Sequence, residues 1–233
     1  MKGVKTISCT ALLMLGLGQA PAPAQAQNGH FLAGGEASAR DFYTYLGTVL
    51  PLPGNRLGQG FVQRYWLDYF GYEFQGAPGE VRARAWGGEA LVGYQTSSQR
   101  NWGSLYVGVR YTDTTLKPAD PGADVSGSAF GVKVLAEGEA WLDERWRVNG
   151  IASYAFAQSG YWVRGRALRT LPNQLHLGPE VVLAGNPDYD TERYGLVLGG
   201  FRALGGSFDV KGGYSTGSSG SSGYGGIEFF RPF

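Results

Sequence analysis

The stretch Gly223 to Phe233 reads Gly-Tyr-Gly-Gly-Ile-Glu-Phe-Phe-Arg-Pro-Phe. Ile227, Phe229 and Phe233 share one parity and Glu228 falls on the other. That is the period-two alternation of a strand with one apolar and one polar face. A strand of this kind ending on an aromatic residue predicts the closing strand of a transmembrane β-barrel, one face toward lipid and the other toward a polar lumen.

The opposite end of the chain supports export. Lys2 and Lys5 give a basic start, Thr10 to Leu17 is a short apolar run, and Ala24-Gln25-Ala26 is a small-x-small cleavage site. Residues 1–26 are therefore expected to be a secretory signal peptide, too short and wrongly flanked for a membrane helix. Residues 27–233 are expected to be one outer-membrane barrel domain. Cys9, the single cysteine, lies inside the leader and lacks the residues that precede a lipid-modified cysteine. The processed chain then has no thiol, and a small exported domain without disulfides needs another source of closure, which a barrel supplies.

The formal charge is +1 and falls to −1 without Lys2 and Lys5. No basic run suggests nucleic acid. Glycine (39 residues) and aromatics (14%) are abundant, while hydrophobic residues make up only 43%. No later segment approaches the ~18 consecutive apolar residues of a spanning helix. A barrel reconciles these numbers, because only every second strand residue meets lipid.

Alternation and turn residues predict strands at 30–37, 42–52, 60–74, 81–96, 102–113, 127–142, 146–158, 161–169, 174–184, 193–203, 207–216 and 223–233. The fold class is all-β, an antiparallel up-and-down barrel of twelve strands. Ten is the alternative, because the first strand and the connection at 159–160 are weak. Long outer connections are expected at 114–126, 185–192 and 217–222.

A charge on the lipid face costs about 2–4 kcal/mol near the midplane, so the charged parity of each strand is expected to face the lumen. Leu105, Val107, Val109 and Tyr111 thus face out, as do Val132, Val134 and Ala136. The candidate luminal residues are Arg82, Arg84, Arg110, Lys133, Glu137, Glu139, Arg147, Arg164, Arg166, His176, Glu180, Asp209, Lys211 and Glu228. In strand 81–96 the polar parity switches between Arg84 and Glu89, which predicts a β-bulge at Gly87-Gly88. Strand 193–203 is apolar on both parities and assigns no face. Most tryptophans suit an aromatic girdle. Trp86 and Trp162 are the candidates for stacking on a sugar ring, should they face inward.

Catalytic chemistry is thin. His30 and His176 are the only histidines, and no Ser stands near His176. The bland reading pairs His176 with a luminal carboxylate such as Glu180. Asn186-Pro187-Asp188-Tyr189-Asp190 lacks the ligand count of a dedicated calcium loop and suits a turn. No catalytic residue, cofactor or metal is expected.

Several segments carry a resemblance. They are Gly87 to Gln95, Tyr106 to Tyr111, Leu116 to Pro121, Tyr161 to Arg166, Leu177 to Glu180, and Gly185 to Asp190 with Arg193 to Gly195. Together they resemble the bacterial cellulose biosynthesis protein BcsS family over roughly residues 42 to 233. The resemblance implies an outer-membrane barrel that supports cellulose production or export without catalysis, guiding the glucan or anchoring the apparatus. The partners it implies are outer-membrane lipid, cellulose (β-1,4-glucan) and other cellulose-secretion components. A general small-solute porin or adhesion barrel is the alternative, and a lipid-modifying barrel enzyme a more distant one.

Overall fold

The structure is a computed structural model and describes residues 8–9, 28–218 and 220–233. The expected leader lies outside these residues except for Ser8–Cys9, which pair in parallel with Gly160–Tyr161 and form no stave of the barrel.

Twelve strands make the wall. They are β1 (His30–Ser38), β2 (Asp41–Pro51), β3 (Gly60–Gly76), β4 (Gly79–Ser97), β5 (Asn101–Lys117), β6 (Gly127–Trp141), β7 (Trp146–Ala155), β8 (Gly160–Thr170), β9 (His176–Asn186), β10 (Tyr189–Ala203), β11 (Gly206–Gly217) and β12 (Gly220–Pro232). Each pairs antiparallel with its sequence neighbours, and β12 pairs with β1 from Tyr224↔Ser38 to Pro232↔His30. That last ladder closes the cylinder and leaves no edge strand. It also makes the weak first strand a full stave, so the count is twelve. Gly29 and Phe233 exchange both backbone bonds, at 2.9 and 3.0 Å, below the seam.

The outer face follows the alternation. Leu105, Val107, Val109, Val132 and Val134 are exposed on it. Strand 193–203, whose faces the sequence left open, turns Arg193 and Val197 inward and Tyr194 and Leu196 outward. On β4, Tyr94 and Trp86 bound the apolar band. Eight residues at ~3.3 Å separate them by about 26 Å along the strand, or ~20 Å along the axis at a ~40° tilt. Trp86 meets Tyr111 at 5.1 Å with the rings tilted by 49°, and Phe61 meets Tyr94 edge-on at 5.2 Å.

Two expectations are corrected here. The bulge at Gly87-Gly88 does not exist: β4 keeps one register with β3 and with β5 along its whole length. Odd residues therefore point in throughout, and Arg82, Arg84 and Trp86 point out. The misreading has a physical cause. Ala83, Ala85 and Gly87 are small because neighbouring strands fill the lumen beside them; a Cβ on Gly87 would meet Arg110 Nη2 and Asp68 Oδ1 at 2.5 Å. The two arginines lie beyond the apolar band, where Arg82 pairs with Glu73 at 2.9 Å.

The second correction concerns the outer loops. The ladder continues into them, so among the described residues there only 118–126, 187–188 and 218 lie outside the strands. β3, β4 and β5 have 17, 19 and 17 residues. A tilted strand needs ~9–11 to cross the bilayer, so this side of the barrel projects well past it at the end opposite the termini. The connection after β7 is a 3₁₀ turn, Phe156–Gln158, closed by Ser159 in the left-handed region at φ 48°.

Candidate functional site

The lumen holds the chemistry. Its eight basic residues are Arg64, Arg110, Lys133, Arg147, Arg164, Arg166, Arg193 and Lys211, and nine acidic residues on the strands face them. Near-equality matters, because a lumen so balanced favours neither cations nor anions.

Two networks organise these charges. Along β1, β2 and β8 to β12, Arg166 donates Nε to Glu180 at 2.6 Å and its two Nη groups to Glu228 at 3.0 and 2.7 Å. Lys211 reaches Glu228 at 3.1 Å and Glu180 at 3.5 Å, and also pairs with Glu36. Arg193 joins Glu36 to Asp41, the latter at 2.9 Å, and Tyr189 Oη donates to Asp41 at 2.6 Å. One connected web thus ties the last five strands to the first two across the closing seam.

The second network lies on β3 to β6. Arg110 grips Asp68 in a bidentate pair at 2.8 and 2.9 Å and reaches Glu89 at 2.6 Å. Lys133 pairs with the same Glu89 oxygen. Each carboxylate here serves two cations or two donors of one cation, the arrangement a buried ion pair needs to offset its desolvation.

Aromatic side chains form a column inside β2 and β3. Tyr45 stacks on Trp66 at 4.7 Å and 10°, and Trp66 Nε1 donates to Tyr43 Oη at 2.9 Å. Above them, Phe70 stacks on Tyr72 at 6.4 Å, and Tyr72 meets Tyr189 at 4.6 Å. Gly47 lies directly across from Trp66, and a Cβ there would run into the indole.

Of the residues the sequence nominates, Arg110, Lys133, Glu137, Glu139, Arg147, Arg164, Arg166, His176, Glu180, Asp209, Lys211 and Glu228 all face the lumen and are buried there. Arg82 and Arg84 do not. Trp162 is buried and inward, 5.6 Å below the Arg164 guanidinium, whereas Trp86 belongs to the outer girdle. His176 pairs with Asp209 at 3.2 Å rather than with Glu180, which is spent on Arg166 and Lys211. The sequence reading missed Glu36, Asp41, Arg64, Trp66, Asp68 and Arg193. Strict parity within 60–74 would have found Arg64, Trp66 and Asp68, which share even numbers with Val62 and Phe70.

Polar loops spend their groups on structure. Asn186 Nδ2 donates to Tyr72 Oη at 2.7 Å, and Asp188 accepts from the Val125 N–H at 3.2 Å. Burial raises the Asp188 carboxyl above its ordinary range. In the turn 142–145, the N–H groups of Arg145 and Trp146, both 2.7 Å away, hold the Asp143 carboxyl below its ordinary range. Among the described residues no group of three His, Cys, Asp or Glu could hold a metal ion.

Solved structures with the same architecture are outer-membrane barrels. The KdgM porin aligns at TM-score 0.51 and 10% identity, covering 86% of this chain and 98% of its own. The translocator domain of the autotransporter NalP from Neisseria meningitidis aligns at 0.51 and 10%, covering 91% and 90%. A TodX monoaromatic hydrocarbon channel variant aligns at 0.52 and 8%, covering 90% and 91%. At such identities the likeness concerns the fold. No curated protein matches the sequence. The family model described as cellulose biosynthesis protein BcsS matches residues 31–233, the whole barrel but for His30. This outer-membrane-type barrel therefore belongs to the cellulose biosynthesis protein BcsS family.

Proposed function

We propose that this chain is a non-enzymatic barrel of the outer membrane that guides β-1,4-glucan during cellulose export. The observation that carries the reading is the balanced charge of the lumen, joined to a family tied to cellulose biosynthesis. Cellulose is uncharged and rich in hydroxyls. A wall presenting donors and acceptors of both signs, with aromatic rings among them, matches such a chain and offers no net attraction to ions.

The His176 imidazole has a structural partner. His176 is bonded to Asp209, and no serine or threonine hydroxyl bonds to it. An activated nucleophile needs a base within hydrogen-bond reach.

Deletion of the gene tests the reading. Cellulose at the cell surface, scored by dye binding, should fall while cellulose synthase activity in isolated inner membranes stays unchanged. Normal surface cellulose in the deletion strain would overturn it.

A further inference from the structure

Charge outside the lumen is divided unevenly between the two ends of the barrel. At the end that carries Gly29 and Phe233, Arg56, Arg100, Arg145, Arg169, Arg202 and Arg231 are all exposed. The acidic residues among them are Asp143 and Glu144, both in one turn. At the opposite end the balance reverses: Glu73, Glu80, Asp188, Asp190 and Glu192 alone outnumber Arg40, Arg82, Arg84 and Lys117. Arg40 and Arg82 there pair with Glu73. None of the six arginines at the near end pairs with a carboxylate among the described residues.

The six are spread round the whole circumference. Arg56, Arg100 and Arg145 lie in the turns β2–β3, β4–β5 and β6–β7, and Arg169, Arg202 and Arg231 are the penultimate residues of β8, β10 and β12. Every second strand thus brings one to the rim. Backbone bonds fix the turns that carry them. The Trp141 N–H donates to the Arg100 carbonyl at 2.9 Å and the Thr170 N–H to the Arg145 carbonyl at 2.7 Å, while Arg56 and Gln59 exchange bonds at 3.3 and 3.0 Å.

Aromatic residues mark the level of this rim in the membrane. Arg169 is directly across from Trp146, and Arg231 from Phe31. Arg202 follows Phe201, which pairs with Phe208. Phe229 meets Phe208 at 4.6 Å and Phe31 at 6.3 Å. Such belts sit at the lipid headgroups, and the short turns of an outer-membrane barrel face the periplasm. The arginines therefore stand at the phosphates of the periplasmic leaflet. A guanidinium fork matches a phosphate with two parallel bonds, and all six cations are arginine. A protein partner would meet one arc of the rim, whereas the surrounding lipid meets all of it.

We propose that these six arginines form a rim that binds the phosphate groups of anionic phospholipid in the periplasmic leaflet. The rim is separate from the lumen, and its role does not rest on the passage of glucan.

Electron spin resonance of the folded barrel in phosphatidylcholine vesicles tests the proposal. The probes are spin-labelled phosphatidylglycerol and spin-labelled phosphatidylcholine, whose phosphate charge is balanced by choline. Heat-modifiable gel mobility checks folding. The parent should favour phosphatidylglycerol about fivefold. Two variants divide the rim: Arg56→Gln, Arg100→Gln, Arg145→Gln in the turns, and Arg169→Gln, Arg202→Gln, Arg231→Gln at the strand ends. Each should lose part of the preference. Arg84→Gln with Lys117→Gln, at the far end, should leave it unchanged. Equal association of the two lipids with the parent would overturn the proposal, and so would a full preference in both rim variants. A loss in the far-end variant as large as in the rim variants would overturn the location. Removal of the preference by inorganic phosphate, where chloride of the same ionic strength has no effect, would show a site for free anions and overturn the assignment to lipid.

Discussion

Glu228→Gln isolates the ion web that ties the closing seam. Glu228 sits on the last strand and receives both Arg166 Nη groups at 3.0 and 2.7 Å, Lys211 at 3.1 Å and Arg164 at 3.6 Å. Glutamine keeps the volume and one carbonyl oxygen. Its amide, however, turns two hydrogens toward cations. At least one charge-assisted bond is lost, about 1.5–3 kcal/mol. Three cations are also left facing fewer carboxylates, and unpairing a buried charge costs about 3–5 kcal/mol. Because shape is conserved, the expected loss is about 2–4 kcal/mol. Urea unfolding in phospholipid vesicles, followed by tryptophan fluorescence and extrapolated linearly, measures it. Glu192→Gln is the comparison: its carboxylate is outward and, among the described residues, accepts from the exposed Tyr194 hydroxyl, so its cost should stay below ~1 kcal/mol. The Arg166→Met, Glu228→Gln pair should be non-additive by more than ~1 kcal/mol. A Glu228→Gln barrel within about 0.5 kcal/mol of the parent would refute the view that this web holds the seam.

Gly47→Val should displace the Trp66 indole and cost about 1–3 kcal/mol by overpacking, with a shifted tryptophan emission as its signature; unchanged emission would argue against the stack. Val134→Arg places a charge on the lipid face between Val107 and Tyr154 and should cost about 2–4 kcal/mol, whereas Arg84→Leu, beyond the apolar band, should change stability by less than ~0.5 kcal/mol. Equal effects of the two would contradict the assignment of faces. Asp143 has a folded-state pKa below its ordinary 3.8, so its contribution is present above the unfolded value and lost as pH falls through the folded one. Asp143→Asn should therefore lower the melting temperature at pH 7, with the gap closing in acid, and a gap constant across pH would contradict this.

Strand number, strand order and most luminal charges were legible because lipid enforces the alternation: a charge on the wrong parity is too costly to keep. Ile227, Phe229 and Glu228 show this directly. The failures share another cause. In β4 the inward face is Ala83, Ala85 and Gly87, small residues carrying no polar signal, while Arg82 and Arg84 point outward where the strand has already left the bilayer. Parity rules lose their force there, because water on both faces tolerates charge on either. The same projection hid the true length of β3 to β5 behind residues that look like loop. Arg64 was within reach of the same rule, since it shares its parity with Val62, Trp66 and Asp68; what spacing does not encode is its cation–π contact with Trp66.

The glycine content has a structural cause that turns alone do not supply. Only eight glycines among the described residues have positive φ. Many of the others stand inside the barrel beside its largest side chains. A Cβ would meet the Trp66 ring at Gly47, the Tyr106 ring at Gly93, the Tyr224 hydroxyl at Gly195, and Lys211 Cε at 3.0 Å from Gly226. The lumen is thus built by pairing an oversized polar or aromatic residue on one strand with glycine on the next. Glycine inside a strand costs backbone entropy and packs nothing itself. The pattern makes sense only if the large groups must be where they are. For Lys211 the reason is the ion web across the seam. For Trp66 it is the aromatic column inside β2 and β3, where its ring stacks on Tyr45 and its N–H donates to Tyr43. Gly47 and Trp66 are therefore one unit of that column: a side chain at Gly47 would displace the indole that Tyr45 and Tyr43 hold.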